Sequence, residues 1–331
     1  MEVYLDTNVY WSIANREKNY EYTLAKINNL FKSGYIFPHA PPHAEEISAR
    51  FVNQRDIPTT LRAYNLIKKY NNYTGYLPGH PNLTETQEII REFSKHPGLA
   101  DAVKIHQSNL RKIISGEITE NDYPTRLIKE DFGNCLARVD KYLDLTDEAK
   151  RNEIFHLGRR DSKNLKSNFE EINKEADGIS TFLEIQKRYN LGPRRLSRLT
   201  PEEILEDKYF LDYLQKKFSE AGMSLNNIPK GAELMQSHHK KEILIQRILD
   251  CMEEAGYNQE EKNHAASLTG RMHDVSHAIY ASKADFLVTN DKRFSKKARA
   301  AYIMLNLPTI ILSTKEFEEF DLRSKYQQSK Y

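Results

Sequence analysis

Acidic side chains at the ends of two short apolar segments are the residues of this chain best placed to do chemistry. Asp6 directly follows "VYL", and Asp291 closes the run "FLVTND". In a parallel sheet the carboxyl ends of the strands share one edge, and ligands bind there. The pair Glu45–Glu46 in "PPHAEEIS" and Asp274 in "RMHDVSHAIYAS" lie close to the same segments. The sequence therefore predicts that four carboxylates, one of them from the Glu pair, converge at one edge of a sheet.

Four converging carboxylates need a cation. They repel one another and raise one another's pKa values unless a positive charge neutralises them. A set of oxygen ligands without cysteine suits a hard ion, Mg²⁺ or Mn²⁺, rather than zinc. Such a site polarises a phosphate, lowers the pKa of a bound water and stabilises charge on a leaving oxygen. The spacing of Asp274, His277, Ala278 and Ala281 predicts one helix face that carries the acid toward the strand ends.

Each acid also has an ordinary structural interpretation. Asp6, Asp274 and Asp291 could each cap a helix, and the Glu pair could interact with a helix dipole. His277 and His43 are compatible with packed imidazoles or with substrate contacts. Convergence of the acids is the prediction that separates the two interpretations.

The elements that must position these acids lie at the two ends of the chain. "VYL" (3–5), "YIF" (35–37), "FLVT" (286–289) and "TIIL" (309–312) have the composition of short buried strands. A predicted helix that ends at Gly34 separates the first two, and "KRFSKKARAAYIMLN" separates the last two. Strands that alternate with helices favour a parallel sheet covered on both faces.

The middle of the chain has a different pattern, because amphipathic segments replace the strand-like runs. At 331 residues the chain has room for one large or two modest domains. We predict an α/β domain formed by 1–50 and 265–322, interrupted by an all-α insertion of 51–264. The helices predicted in the insertion span 57–71, 84–95, 99–115, 129–145, 164–189, 202–219 and 232–256.

The motifs "VYLDTNVY", "PHAEEI", "HDVSHAIYASKADFLVTNDKRF" and "LPTIILSTKEF" together resemble the PIN-domain family of metal-dependent ribonucleases. The resemblance covers about 1–50 and 265–322. It implies a three-layer α/β/α fold with a short parallel sheet, and Mg²⁺- or Mn²⁺-assisted hydrolysis of RNA phosphodiesters. By position, the resemblance implies four catalytic acids that bind the metal: Asp6, Glu46, Asp274 and Asp291. It favours Glu46 over Glu45 as the second of these. The supporting groups that it implies are Asn8, Thr289 and His277.

Basic residues are the candidates for contact with RNA. Lys292 and Arg293 follow the last acid and could hold a phosphate, or could be the solvated start of a helix. Between 150 and 198, Lys and Arg outnumber Asp and Glu and alternate with aromatic residues that could stack on unpaired bases. Solvated helical faces are the alternative interpretation. The arginines selected from this region are Arg159, Arg160, Arg194 and Arg195.

The net charge and the cysteine content of the chain restrict the classes of protein to which it can belong. A net charge of +2 does not mark a general nucleic-acid binder, and two distant cysteines exclude a disulfide framework. We expect a cytoplasmic protein without a signal peptide or membrane partner. The favoured hypothesis is an endoribonuclease acting on tRNA or mRNA, toxin-like or defence-related, with a homodimer or a protein inhibitor as compatible partners. The alternatives are a structure-specific DNA nuclease of related fold and a non-catalytic RNA-binding or scaffold protein.

Overall fold

The computed structural model describes residues 1–43, 46–47, 57–72, 74–76, 84–85, 178–259 and 265–328. Within these ranges the protein is a mixed α/β structure, mostly helical, with a short parallel sheet. None of the helices in these ranges has both the length and the apolar character required to cross a membrane. The strands are β1 (Val3–Leu5), β2 (Thr74–Gly75), β3 (Thr84–Glu85), β4 (Phe286–Val288) and β5 (Ile310–Leu312). The helices are α1 (Thr7–Ala14), α2 (Tyr20–Lys32), α3 (Ile57–Asn71), α4 (Gly178–Arg188), α5 (Pro193–Leu196), α6 (Pro201–Ile204), α7 (Lys208–Glu220), α8 (Gly231–Met235), α9 (His238–Ala255), α10 (Ala265–Ala281), α11 (Lys292–Leu305), α12 (Thr314–Glu319) and α13 (Leu322–Gln328).

The parallel sheet joins the two ends of the chain in the order β1-β4-β5. Leu5 pairs with Val288, and Val288 pairs with Leu312, so the three strands end at the same level. The segment predicted as a strand at 35–37 is not one, because only Ile36 forms a bridge, to Glu2 beside β1. It lies between the turn at Gly34 and Pro38, which has no backbone N–H to extend a ladder.

Helices cover both faces of this sheet. Successive residues of a strand point to opposite faces, and the two hydrophobic clusters of the protein follow that alternation. Tyr4, Leu287 and Ile311 pack with residues of α7, α9, α10 and α11. The other face packs against residues of α1, α2 and α3 through Val3, Leu5, Phe286, Val288 and Leu312. The sheet is therefore the middle of three layers.

The helices next to the strands begin and end where the sequence predicts. α2 ends two residues before Gly34, which has a φ of 83° and so favours glycine at the helix stop. α11 covers the predicted helix between the last two strands. In the insertion, α3 has the predicted bounds 57–71.

The prediction of an all-α insertion is wrong. Residues 84–85, predicted as the start of a helix, form β3, which pairs antiparallel with β2. The β-branched Thr74 and Thr84 favour strands, and the sequence between them is rich in Gly, Pro and Asn, which favour turns. The segment predicted as one helix at 232–256 is divided between α8 and α9, and Ser237 caps the second of these. The predicted helices at 99–115 and 129–145 lie outside the described residues.

The described insertion helices share a core with the sheet domain. α9 packs against α10 and α11, and its apolar residues belong to the same cluster as Tyr4 and Leu287. A buried ion pair also crosses this contact, with Lys297 Nζ 3.1 Å from Glu253 Oε2. The position of α10 therefore depends on the insertion as well as on the sheet.

Candidate metal centre

Asp6 lies at the carboxyl end of β1, where strand pairing brings it next to Thr289. Because Leu5 pairs with Val288, the residues that follow them meet at the same edge of the sheet. Asp6 also caps α1, with Asn8 N 3.5 Å from its Oδ1 atom. Its other oxygen, Oδ2, accepts hydrogen bonds from Thr289 Oγ1 at 2.6 Å and from Asn8 Nδ2 at 3.3 Å. The carboxylate is only 2% exposed, so these bonds fix its orientation.

The Thr289 hydroxyl links two of the predicted acids. It donates to Asp6 and accepts from the backbone N–H of Asp291 at 3.0 Å. The Oδ1 atom of Asp291 accepts from the N–H groups of Arg293 and Phe294 at 2.7 and 2.9 Å, so this acid caps α11. The capping interpretation is thus correct for Asp291, and the same turn holds the residue at the edge that contains Asp6.

α10 brings two histidines to this edge. His277 Nε2 lies 3.6 Å from Asp6 Oδ1 and 3.4 Å from Glu46 Oε2. His273 Nδ1, one turn earlier, lies 3.4 Å from Glu46 Oε1. Asp274 is half-buried on the same helix, between the two histidines. The contacts that join Asp6, Glu46 and Asp291 run through His277 and Thr289.

The two carboxylates nearest His277 have opposite shifts in pKa. Burial raises the pKa of Asp6, and the charge of Glu46 adds to this effect while His277 opposes it. Burial also disfavours ionisation of Glu46, but hydrogen bonds from His273 and His277 outweigh it and hold the pKa of that carboxyl well below its usual value. Glu46 is therefore the more readily ionised of the two carboxyls.

Hydrogen bonding assigns the tautomer of His277. His43 Nδ1 accepts from the N–H of Ala40 at 3.0 Å, and its Nε2–H donates to the carbonyl of Leu5 at 2.7 Å. Burial, with the charge of His277 adding to it, lowers the pKa of His43 to about 3, so this ring is neutral. Because His43 Nδ1 already accepts a hydrogen bond, the Tyr4 hydroxyl donates to His277 Nδ1, which lies 2.7 Å away.

His277 Nε2 faces Thr7 Oγ1 at 3.1 Å and both carboxylates, so a hydrogen on this nitrogen suits the neutral ring and the protonated ring alike. The opposite tautomer would direct a nitrogen lone pair at two anions. With a hydrogen on Nε2, His277 donates to the acids and has no lone pair there for a metal ion. It is a positioning group rather than a ligand.

Sequence reasoning missed His273, Tyr4 and Thr7. The i, i+4 spacing of His273 and His277 was the available signal, since it places both rings on one face of a helix. Tyr4 and Thr7 carried no comparable signal, because their roles depend on contacts with α10, some 270 positions away in the chain.

The basic residues predicted to bind RNA have different surroundings. Lys292 is exposed and Arg293 is half-buried at the start of α11, beside the acidic edge. Arg195 forms a two-bond ion pair with Asp207 and lies over the ring of Tyr209, whereas Arg194 is exposed. Arg195 thus has a structural role between α5 and α7. Arg159, Arg160 and also Glu45 lie outside the described residues.

The donor types at this edge fit a hard cation in part. Asp6 and Glu46 present buried or half-buried carboxylate oxygens from two segments, both within 3.6 Å of His277 Nε2, and burial raises the pKa of Asp6. In the part of the chain that the structure describes, no three His, Cys, Asp or Glu side chains are arranged as a group that could hold a metal ion. Among the described acids, Asp6 and Glu46 are the two that contact the same imidazole, His277.

Comparison with known proteins finds no match to a family model, to a curated protein or to a solved structure. The functional argument accordingly depends on the residues and geometry of this edge.

Proposed function

We propose that this protein is a metal-dependent endoribonuclease with a PIN-like fold, and that Asp6, Glu46, Asp274 and Asp291 form its catalytic site. The observation that carries the proposal is the contact of Asp6 and Glu46 with one imidazole, His277. Three distant parts of the sequence supply these residues, and burial together with the nearby Glu46 raises the pKa of Asp6. Such an arrangement is expected where a cation and a phosphate bind.

The three-layer arrangement supports the PIN-like part of the proposal. A parallel sheet with helices on both faces, with acids after β1 and β4 and on α10, has the layout that the resemblance implies. The insertion between Glu46 and Asp274 is the main departure from a compact domain of this kind. We assign substrate selection to the insertion.

Asp6 and Glu46 would hold an Mg²⁺ or Mn²⁺ ion, with Asp274 and Asp291 beside them at the same edge. A bound ion of this kind polarises a phosphodiester and lowers the pKa of a water molecule that attacks it. Thr289 and Asn8 orient the Asp6 carboxylate, and His273 and His277 keep Glu46 ionised.

The exposed Lys292, beside the acids, supplies positive charge for an RNA phosphate. Because the attacking group would be a water molecule activated by the bound ion, the reaction requires no protein nucleophile.

The proposal is tested by RNA cleavage and by metal binding, measured separately. Purified protein with Mn²⁺ should cut RNA, and Asp6→Asn or Asp274→Asn should abolish cleavage. Titration of Mn²⁺, followed by its electron paramagnetic resonance signal, should show a site that Asp6→Asn weakens. Asp212→Asn is the matched control, since Asp212 is an exposed acid on α7 and is not among the residues proposed for the site.

Three results would reject this function or change it. Equal cleavage by the wild type and both variants would identify a contaminant. Binding of RNA without cleavage at any Mn²⁺ concentration would favour a non-catalytic RNA-binding protein. Faster cleavage of branched or nicked DNA than of RNA, assayed in parallel, would favour the DNA nuclease.

A further inference from the structure

The start of α11 carries basic side chains beside the acidic edge. Asp291 caps this helix, and Lys292 is its first residue. Lys296 follows four positions later and therefore shares a face with Lys292, about 6 Å further along the helix. Lys292 is exposed and Lys296 is half-buried, whereas Phe294 and Ala298, on the opposite face, lie in the core. The two lysines thus lead away from the acidic edge along one face of α11.

A contact from Lys296 joins this face to the insertion. Its Nζ atom lies 3.4 Å from the carbonyl oxygen of Ser197, the C-cap residue of α5. α6, which begins at Pro201, also packs against α11. Among the residues that the structure describes, no carboxylate forms an ion pair with Lys296. The charge of this lysine is therefore not neutralised where α11 meets α5.

Contacts with the end of α9 hold α5 in place. Ser197 Oγ donates to the carbonyl of Gly256 at 3.3 Å and accepts from the N–H of Asn258 at 3.2 Å. Gly256 has a φ of 88°, and a Cβ atom there would lie 2.7 Å from Pro193, the first residue of α5. Leu196 is fully buried. α5 therefore has a fixed position beside α11, although it is only 4 residues long.

Two further cations at α5 face the solvent. Arg194 and Arg198 are both exposed, four positions apart. Neither forms an ion pair with a carboxylate in the described ranges, in contrast to Arg195, which pairs with Asp207. The acids that follow Arg198 are on α6, where Glu203 completes the capping box of that helix. α5 thus adds two unneutralised positive charges to those of α11.

An exposed aromatic ring lies next to these cations. The guanidinium carbon of Arg195 is 5.1 Å from the ring centre of Tyr209, and Tyr209 is 47% exposed. Unpaired bases stack on exposed aromatic side chains that accompany a basic surface, whereas an RNA duplex keeps its bases stacked inside the helix. The combination of cations and an aromatic ring favours a single strand as the ligand.

We propose that the four unneutralised cations form one basic strip, which binds the phosphates of an unpaired RNA segment that leads to the acidic edge. The strip consists of Lys292, Lys296, Arg194 and Arg198, and Tyr209 stacks on a base beside it. The inference rests on the proposed function for the identity of the ligand as RNA. Contacts with phosphates carry no sequence information, so the strip positions the strand and does not select its bases.

RNA binding measured without cleavage tests the strip. The probe is a short fluorescein-labelled oligouridine, followed by fluorescence anisotropy in metal-free buffer with a chelator, at several salt concentrations. Each phosphate contact of a single strand contributes about 0.7 to the slope of log affinity against log salt concentration. Lys296→Gln should therefore lower the slope by about 0.7, and the double variant Arg194→Gln with Arg198→Gln by about 1.4. Tyr209→Ala should weaken binding about tenfold with no change in slope, because it removes stacking but no charge.

The double variant Lys32→Gln with Arg323→Gln is the matched control. It removes two exposed charges from α2 and α13, which pack on the other face of the sheet, and it should retain the wild-type slope. An equal loss of slope in this control would show non-specific attraction and overturn the strip. Wild-type slopes in Lys296→Gln and in the arginine double variant would overturn it too, as would a wild type that does not bind oligouridine. Tighter binding of an RNA duplex of the same length would overturn the assignment to unpaired RNA.

Failure of the strip and failure of the proposed nuclease are distinguishable. If the slopes change as expected but the wild type with Mn²⁺ never cleaves RNA, the strip is supported and the nuclease is rejected. If the wild type cleaves RNA but every strip variant keeps the wild-type slope, the nuclease is supported and the strip is overturned.

Discussion

Breaking the buried ion pair between α9 and α11 should destabilise the whole fold, not only the insertion. Lys297 and Glu253 are 3% and 4% exposed, and their charged atoms are 3.1 Å apart. Glu253→Gln would remove the carboxylate that lies 3.1 Å from the buried ammonium group of Lys297. Removing one partner of a buried pair typically costs about 3–5 kcal/mol. We expect the lower end of this range, about 3 kcal/mol, because the glutamine amide oxygen can still accept one hydrogen bond from Lys297.

The expected change in Tm is large enough to measure easily. For a chain of this size, 1 kcal/mol corresponds to roughly 2 °C, so Glu253→Gln should lower the Tm by roughly 6 °C. The double variant Glu253→Leu with Lys297→Met should recover most of this loss, since a well-packed apolar pair is often as stable as the ion pair that it replaces.

The exposed pair Lys315–Glu319 is the control for this measurement. Its side chains are 81% and 58% exposed, at 3.9 Å, and Glu319→Gln should leave the Tm unchanged. Calorimetry of all four proteins, with a single unfolding transition expected for each, completes the test. If Glu253→Gln unfolds one transition early and leaves a second at the wild-type temperature, the shared core between insertion and sheet is refuted. If it has no effect at all, the buried pair itself is refuted.

Three further predictions concern the acidic edge and its supports. His43 has a pKa of about 3 in the folded protein and near 6.5 in the unfolded chain, so the unfolded state binds a proton first as the pH falls. The contribution of His43 to the free energy of unfolding should therefore drop by about 2 kcal/mol between pH 7 and pH 5. Urea unfolding of the wild type and of His43→Gln at both pH values measures this drop, and an equal pH dependence of the two proteins would refute it. Tyr4→Phe should remove the hydrogen bond that fixes the tautomer of His277. The ¹⁵N spectrum of the His277 ring should then change from the Nε2–H form to a mixture of the Nε2–H and Nδ1–H forms. An unchanged spectrum would disprove the assignment. Thr289→Val should weaken Mn²⁺ binding about 10–100-fold, because Asp6 loses its shortest hydrogen bond. Thr309→Val removes a buried hydroxyl at the other end of the strands and should leave the Mn²⁺ affinity unchanged. Equal losses of Mn²⁺ affinity in the two variants would indicate a general packing defect.

The sequence predicted the parts of this site that depend on local pattern and on strand parity. Apolar runs that end in polar residues identify β1 and β4, and parallel pairing then requires Asp6 and Thr289 to meet at one edge. Helical spacing around His277 likewise indicated which helix would approach them. These inferences need only periodicities of two and 3.6 residues, which are independent of the rest of the chain.

The contacts between side chains could not be predicted in the same way. The spacing of "MHDVSHA" predicts which helix approaches the strand ends, but the contact of His277 Nε2 with Asp6 Oδ1 at 3.6 Å depends on how α10 packs. Arg195 was selected as an RNA-binding candidate because its charge is visible in the sequence, and its ion-pair partner Asp207 becomes visible only after α5 and α7 have packed. Burial and partner choice are tertiary properties, and a single sequence does not encode them in any short window.

The supports of the acidic edge explain why an insertion of about 200 residues is compatible with a site built from the chain ends. Tyr4 and Thr7 hold His277 from the sheet side, and the core of α9 and α11 holds α10 from the other. Both sets of contacts accompany the approach of His277 to Asp6 and Glu46 in the folded protein. An insertion that contributed nothing to the core would leave α10 fixed on one side only. The insertion therefore stabilises the site that it separates in sequence, and variants that weaken the α9 contact should lose metal binding together with stability.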